Sequence, residues 1–263
     1  MGKDNNTKQQ VNATNDKQPK ELECHYKLTP PAEGETWTWI DDSDESRMVI
    51  AYHFFKPDFN HTLLRMRNTK GKWGFIDKTG HVVIPCQWKD VRDFKNGLAA
   101  VQDWCDTWGF INKAGQEVAL CMWPSVEDFS DGMAAVRDEN GLYGFIDRTG
   151  TLVIPCFWKK VHVFSEGLAA VQHEDDKWAF IDKTGQVVIS CEWEFVGSFK
   201  DGVAEVYNSH YAGFIDKTGK EVIPCQWTFA LRSINGLIYV QDENGNWAYI
   251  DWKSNKVVDK PQF

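Results

Sequence analysis

Apolar and polar positions along this chain fall into short blocks that recur at nearly constant spacing. The phrase Trp73-Gly74-Phe75-Ile76-Asp77-Lys78-Thr79-Gly80 returns as Trp108-Gly109-Phe110-Ile111-Asn112, Tyr143-Gly144-Phe145-Ile146-Asp147, Trp178-Ala179-Phe180-Ile181-Asp182, Gly213-Phe214-Ile215-Asp216 and Trp247-Ala248-Tyr249-Ile250-Asp251. Its aromatic anchors stand at 75, 110, 145, 180, 214 and 249, in steps of 35, 35, 35, 34 and 35. A unit of this size cannot bury its own apolar face, so the period predicts one supersecondary unit stacked on copies of itself.

Each unit carries three apolar runs separated by turn chemistry. The first is Gly97-Leu98-Ala99-Ala100-Val101 and its copies, the second the Trp-Gly-Phe-Ile-Asp run, and the third Val82-Val83-Ile84-Pro85 and its copies. The runs are short, aromatic and β-branched, which predicts strands. Asp-Lys-Thr-Gly between the second and third runs predicts a hairpin, Asp bonding its own backbone and Gly supplying a positive φ. Pro85, Pro155 and Pro224 are expected to end the third strand, because proline cannot donate to a ladder. The unit is thus read as a three-stranded antiparallel meander, followed by about ten residues that lead to the next one.

The pattern extends toward the N-terminus, where Trp37-Thr38-Trp39-Ile40-Asp41 aligns with Trp73–Asp77. The expected fold is all-β, with about seven tandem meanders over residues 21–263, the first degenerate. These form an open twisted β-array, or alternatively a closed propeller-like ring. Residues 1–20 are polar, hold four Lys against two Asp, and are expected to be a disordered tail.

Net charge is −9, so the repeats carry −11, which argues against binding nucleic acid through a basic surface. No run has the apolar length of a transmembrane segment, and the N-terminus lacks the apolar core of a signal peptide. A cytoplasmic location is the expectation, with a lipid-anchored envelope protein as the alternative. Five of the seven cysteines, Cys86, Cys121, Cys156, Cys191 and Cys225, stand two residues before a Trp. A thiol recurring with the repeat is read as a buried packing residue, since paired metal-binding motifs such as Cys-x-x-Cys are absent.

These residues resemble the bacterial WG repeat, whose pattern reads roughly Lys-Trp-Gly-Phe-Ile-Asp-x-x-Gly-x-x-Val-Ile-Pro, then an aromatic, then Phe-x-x-Gly-Leu-Ala-x-Val. The match covers most of Lys72–Asp251 and weakens in the first unit and after Trp252. Cys-x-Trp departs from the usual Tyr at the Trp site, and Ala179, Ala212 and Ala248 depart locally. The resemblance implies varied bacterial architectures and brings no catalytic residue.

No Gly-x-Ser-x-Gly, His-Glu-x-x-His or glycine-rich phosphate loop is present, and the seven histidines fall at unrelated repeat phases. No enzyme, cofactor or metal site is expected. The recurring Asp77, Asp147, Asp182, Asp216 and Asp251 read as turn caps, because calcium needs six to eight oxygens and one Asp per turn offers too few. The segment 41–45 is denser in acids and is the better candidate for a cation. Function is sought where a unit breaks the pattern. Asp90 has equivalents at Ser125, Lys160, Phe195 and Phe229, so a polar position becomes aromatic in two adjacent units. Trp104 and Tyr211 stand at strand-connecting tips that are polar elsewhere. Phe195, Phe229, Trp104 and Tyr211 are therefore the candidate partner-binding residues, although Phe195 and Phe229 could instead pack on each other. The expected function is a non-catalytic module that binds a protein or peptide; the alternative is a glycan-binding module of the cell envelope.

Overall fold

The computed structural model describes residues 63–68, 70–77, 81–232, 236–254 and 256–258. They form six antiparallel sheets in tandem, with no α-helix. The first sheet has three strands, Leu64–Arg67, Trp73–Ile76 and Val82–Trp88. The second has four: Asp90–Val91, Leu98–Gln102, Trp108–Asn112 and Glu117–Trp123. The third to sixth repeat this pattern, beginning at Ser125, Lys160, Phe195 and Phe229. The expected first unit, the tail 1–20 and the acidic segment 41–45 lie outside the described residues.

Two expectations are corrected. The meander gains a fourth, short strand, because the segment after each Cys-x-Trp returns along the first run, as in Asp90↔Gln102 and Val91↔Val101. Proline also does not end the third strand, which runs through Pro85 to Trp88. This strand is a sheet edge and is bulged there: Phe75 pairs with Ile84 but Trp73 with Trp88. At a bulge on an edge, proline removes no needed ladder bond. The bulge also explains the glycine of the recurring dipeptide. A Cβ on Gly74 would lie 2.4 Å from the Ile84 carbonyl oxygen, and one on Gly144 would lie 2.5 Å from that of Ile154.

The central strands are apolar at consecutive positions because both faces are covered. Phe110, Ala100 and Leu98 face forward onto Val126, Phe129, Ala134 and Val136 of the third sheet. Ile111, Ala99 and Val101 face back onto Phe75 and Ile84 of the first. Five such cores join the six sheets. An edge-to-face phenylalanine pair recurs within them, Phe75–Phe94, Phe110–Phe129 and Phe145–Phe164, each with centroids 4.8 Å apart.

Two kinds of tip close the hairpins. At one rim, Asp147 Oδ1 accepts from the Thr149 hydroxyl (2.6 Å), the Thr149 amide (2.8 Å) and the Thr151 amide (3.1 Å), and Asp182 is capped likewise by Thr184 and Gln186. Also at the rim are two-residue turns in which both residues have positive φ, Asn96-Gly97, Asp131-Gly132, Glu166-Gly167 and Asp201-Gly202. These turns reach the next unit: Asp131 Oδ2 accepts from the Gly167 amide (2.5 Å) and Oδ1 from Lys183 Nζ (2.9 Å). Glu166 repeats this with Gly202 and Lys217. Ser130 and Ser165 donate to the Phe164 and Phe199 carbonyls at 2.8 and 2.6 Å.

Phe145 is fully buried, so Phe145→Ala should cost about 3–5 kcal/mol in urea unfolding. Trp104→Ala, at an exposed tip, should cost about 0.5–1 kcal/mol, the worth of its one hydrogen bond. Trp108 and Trp178 hold the same repeat position yet differ: Trp178 is buried and Trp108 half-buried, so Trp108→Ala should cost less than Trp178→Ala.

Donation from the Thr149 and Thr184 hydroxyls, then from turn amides, holds the Asp147 and Asp182 carboxyls below the ordinary value. The unfolded chain therefore binds more protons at acid pH, and stability rises with pH. The contribution is complete above about pH 4, the unfolded value, and is lost as pH falls through the folded values. The urea midpoint should be flat from pH 7 to 5 and drop below about pH 4, and Asp147→Asn plus Asp182→Asn should reduce the drop. A midpoint unchanged down to acid pH would refute the capping account.

Candidate functional site

One end of each sheet carries a row of cross-strand partners. In the second sheet the row is Asp90, Gln102, Trp108 and Trp123. In the third it is Ser125, Arg137, Tyr143 and Trp158, and in the fourth Lys160, Gln172, Trp178 and Trp193. The second member of the row clamps its own tip. Gln102 Nε2 donates to the Asp106 carbonyl (3.1 Å), Arg137 Nε to that of Gly141 (3.1 Å) and Gln172 Nε2 to that of Asp176 (2.9 Å).

Across the third to fifth sheets these rows and the short first strands enclose a groove of about 660 Å³, within the usual range for ligand sites. Tyr143, Trp178 and Phe195 supply aromatic surface, and Glu127, Glu194 and Lys160 stand around it. His162 packs on Trp178 and Phe195, with ring centroids 4.8 and 6.2 Å away. Burial holds its pKa below the ordinary imidazole value, so the ring is neutral at pH 7. Phe195 also meets Tyr207 at 5.6 Å.

Gln172 is the informative residue of this groove. It is only 5% exposed, the one buried polar side chain among the described residues. Its Nε2 is committed to the Asp176 carbonyl, so a flipped amide would set oxygen against oxygen. Oε1 is thereby fixed, and it has no hydrogen-bond partner among the described residues. A buried acceptor left unpaired costs about 1–3 kcal/mol.

The four candidates from the sequence do not converge. Phe195 lies in the groove and is 47% exposed. Phe229 lies in the sixth sheet, packed edge-on against Trp247 at 5.5 Å. The rings contact these separate partners, and both side chains are exposed. Trp104 projects from a tip of the second sheet, donates to the Gln87 carbonyl (3.0 Å) and lies near Lys72 (5.8 Å). Tyr211 begins a strand rather than capping a tip, and its hydroxyl donates to Glu243 of the sixth sheet. Sequence reasoning missed Gln172, His162 and Glu194. Their signal was faint: Gln172 stands in a column of Gln102, Arg137 and Gln241 that clamps the tips and is broken only by Tyr207, which bonds Glu205 instead.

The repeated cysteines are half-buried rather than buried for Cys86, Cys121, Cys156 and Cys225, because each stands on an edge strand. All four are free thiols. Desolvation raises their pKa values, that of Cys121 to about 12 with help from Asp103. Among the described residues no group of three or more His, Cys, Asp or Glu is placed to hold a metal.

A family model described as "WG containing repeat" matches residues 73–103, 108–143, 143–178, 178–208 and 213–247. No curated protein matches the chain. Among solved structures, the chain is similar to the computationally designed Ika8 protein at 14% identity, covering 90% of this chain and 87% of that one, with a TM-score of 0.43. It is similar to the C-terminal WD40 domain of Sif2 at 13% identity, 87% and 75% coverage and a TM-score of 0.38. BamB from Moraxella catarrhalis matches at 12% identity, 71% and 69% coverage and a TM-score of 0.35. Likenesses at these scores carry no argument about activity.

Thiolate is the reactive form, so raised pKa values make the four repeat thiols slow. Treated with an alkylating reagent in the native state, exposed Cys105 should label first, and Cys121 should lag until the chain is unfolded. Peptide mass spectrometry showing Cys121 labelled as fast as Cys105 would refute this order.

Proposed function

This chain belongs to the WG containing repeat family, and from that premise we propose that it works as a non-catalytic repeat scaffold that binds a protein or peptide. The observation that carries the reading is a groove of about 660 Å³ walled by Tyr143, Trp178 and the exposed Phe195, with Glu127, Glu194 and Lys160 around it. Aromatic walls supply apolar contact at low entropic cost, and the charged groups supply orientation. The short first strands present backbone along the same groove, which suits an extended chain more than a compact ligand.

The test is selection of random dodecapeptides displayed on phage against the full chain, with a glycan array run in parallel. Peptides should be enriched on the wild type. Phe195→Ser, which removes an exposed ring, should weaken them at least roughly tenfold while lowering the melting temperature by no more than a few degrees. Binding that Phe195→Ser leaves intact would move the site elsewhere, and glycan binding lost in the same variant would replace the peptide reading.

A further inference from the structure

The repeat contains its own control for this groove, because the same junction between sheets occurs earlier in the chain. Between the first and second sheets, the Arg65 guanidinium lies over the Trp73 ring at 6.0 Å. It donates to the Val91 carbonyl at 3.3 Å and pairs with Asp93 at 2.7 Å. Between the second and third sheets, Arg92 lies over Trp108 at 4.8 Å, donates to the Val126 carbonyl at 2.9 Å and faces Asp128 at 3.7 Å. Two different repeat positions thus deliver an arginine to one place: over the aromatic ring that opens the second run, against the carbonyl of the next sheet's first strand.

Between the third and fourth sheets the same ring is Tyr143 and the same strand residue is Val161, both lining the groove. The two positions that supplied arginine now hold Ala135, in the place of Arg65, and Glu127, in the place of Arg92, and both also line the groove. Arg137, 5.7 Å from Tyr143, does not fill the role. It clamps the tip through Gly141, as Arg67 clamps Gly71 beside Trp73 at 5.6 Å. Val163 stands where Asp93 and Asp128 pair with the internal arginines, and Glu127 places a carboxylate at the same junction instead.

Resting on the reading of the groove as a peptide site, we propose that it takes an arginine side chain of the partner, over Tyr143 and beside Glu127, in the place Arg92 holds one junction earlier. A planar guanidinium suits an aromatic wall, a carboxylate and a backbone carbonyl together. The lining residues are net acidic, Glu127 and Glu194 against Lys160 with His162 neutral; Arg137, which lies over Tyr143 from outside that lining, brings the local count level, and the whole chain carries −9.

The experiment uses the dodecapeptides selected on the full chain, resynthesised with each arginine replaced by citrulline, its neutral near-isostere, and measured by fluorescence anisotropy. One arginine should be required, its replacement weakening binding at least roughly tenfold. Glu127→Arg, which supplies the arginine from within, should abolish binding while melting no lower than the wild type. Should that variant melt early, Glu127→Gln serves instead and should weaken binding roughly two- to fivefold. Lys160→Glu should strengthen it by a similar factor. Peptides that depend on Phe195 yet ignore citrulline and Glu127→Arg would overturn the arginine and leave the scaffold. No enriched peptide, or enrichment indifferent to Phe195→Ser as well, would overturn both.

Discussion

Everything in this molecule follows from the fact that its central strands are apolar on both faces. A sheet of four strands with Leu98, Ala100 and Phe110 on one side and Ala99, Val101 and Ile111 on the other has no stable existence alone. It requires a neighbour before and a neighbour after. The sheets accordingly share their cores: Phe145 and Ile154 of the third sheet lie with Val171 and Ile181 of the fourth, and Phe180 of the fourth with Val206 and Ile215 of the fifth. Small alanines on the first run let the sheets approach, and the phenylalanine pairs fill the space behind them.

A repeated interface leaves the ends of its rows free to vary, because the core does not use them. The column Asp90, Ser125, Lys160, Phe195, Phe229 drifts from acidic through neutral and basic to aromatic, whereas the column Phe75, Phe110, Phe145, Phe180, Phe214, Tyr249 stays aromatic throughout. The groove arises where that freedom coincides with a missing internal side chain. Ala135 and Glu127 no longer cover Tyr143, and His162 follows at the next junction in the place of Arg92. The groove is therefore a local subtraction from the repeat and needs no additional element.

The strands, their order and the glycine–aromatic turns could be read from the sequence because each is enforced in every copy by local chemistry. The fourth strand could not. Asp90–Val91 and three of its four equivalents are two residues long, too short for any period to show. The path of the third strand through Pro85 escaped notice because a bulge on an edge strand suspends the rule that proline obeys elsewhere. Of the candidate site, Phe195 was legible as a break in a column. Gln172 was not: a glutamine at a tip-clamping position looks identical whether its oxygen meets water or is buried, and only the packing of Trp178 and His162 around it decides.

The two rims of the array differ in what their turns hold. Turns such as Asp131-Gly132 and Glu166-Gly167 bind the backbone 36 residues on and a lysine 51 or 52 residues on, so their length is fixed by a neighbour. The hairpins between the first and second runs bond chiefly within themselves, as Asp138 does with Leu142. The single 34-residue step falls in the second kind: Asn208 pairs directly with Tyr211, and the fifth sheet closes on Ser209 and His210 alone. The stack thus keeps its phase with one residue fewer at this rim. For grafting, this marks Glu139-Asn140 and Ser209-His210 as places where a foreign loop or domain can be spliced in while the stack keeps its phase.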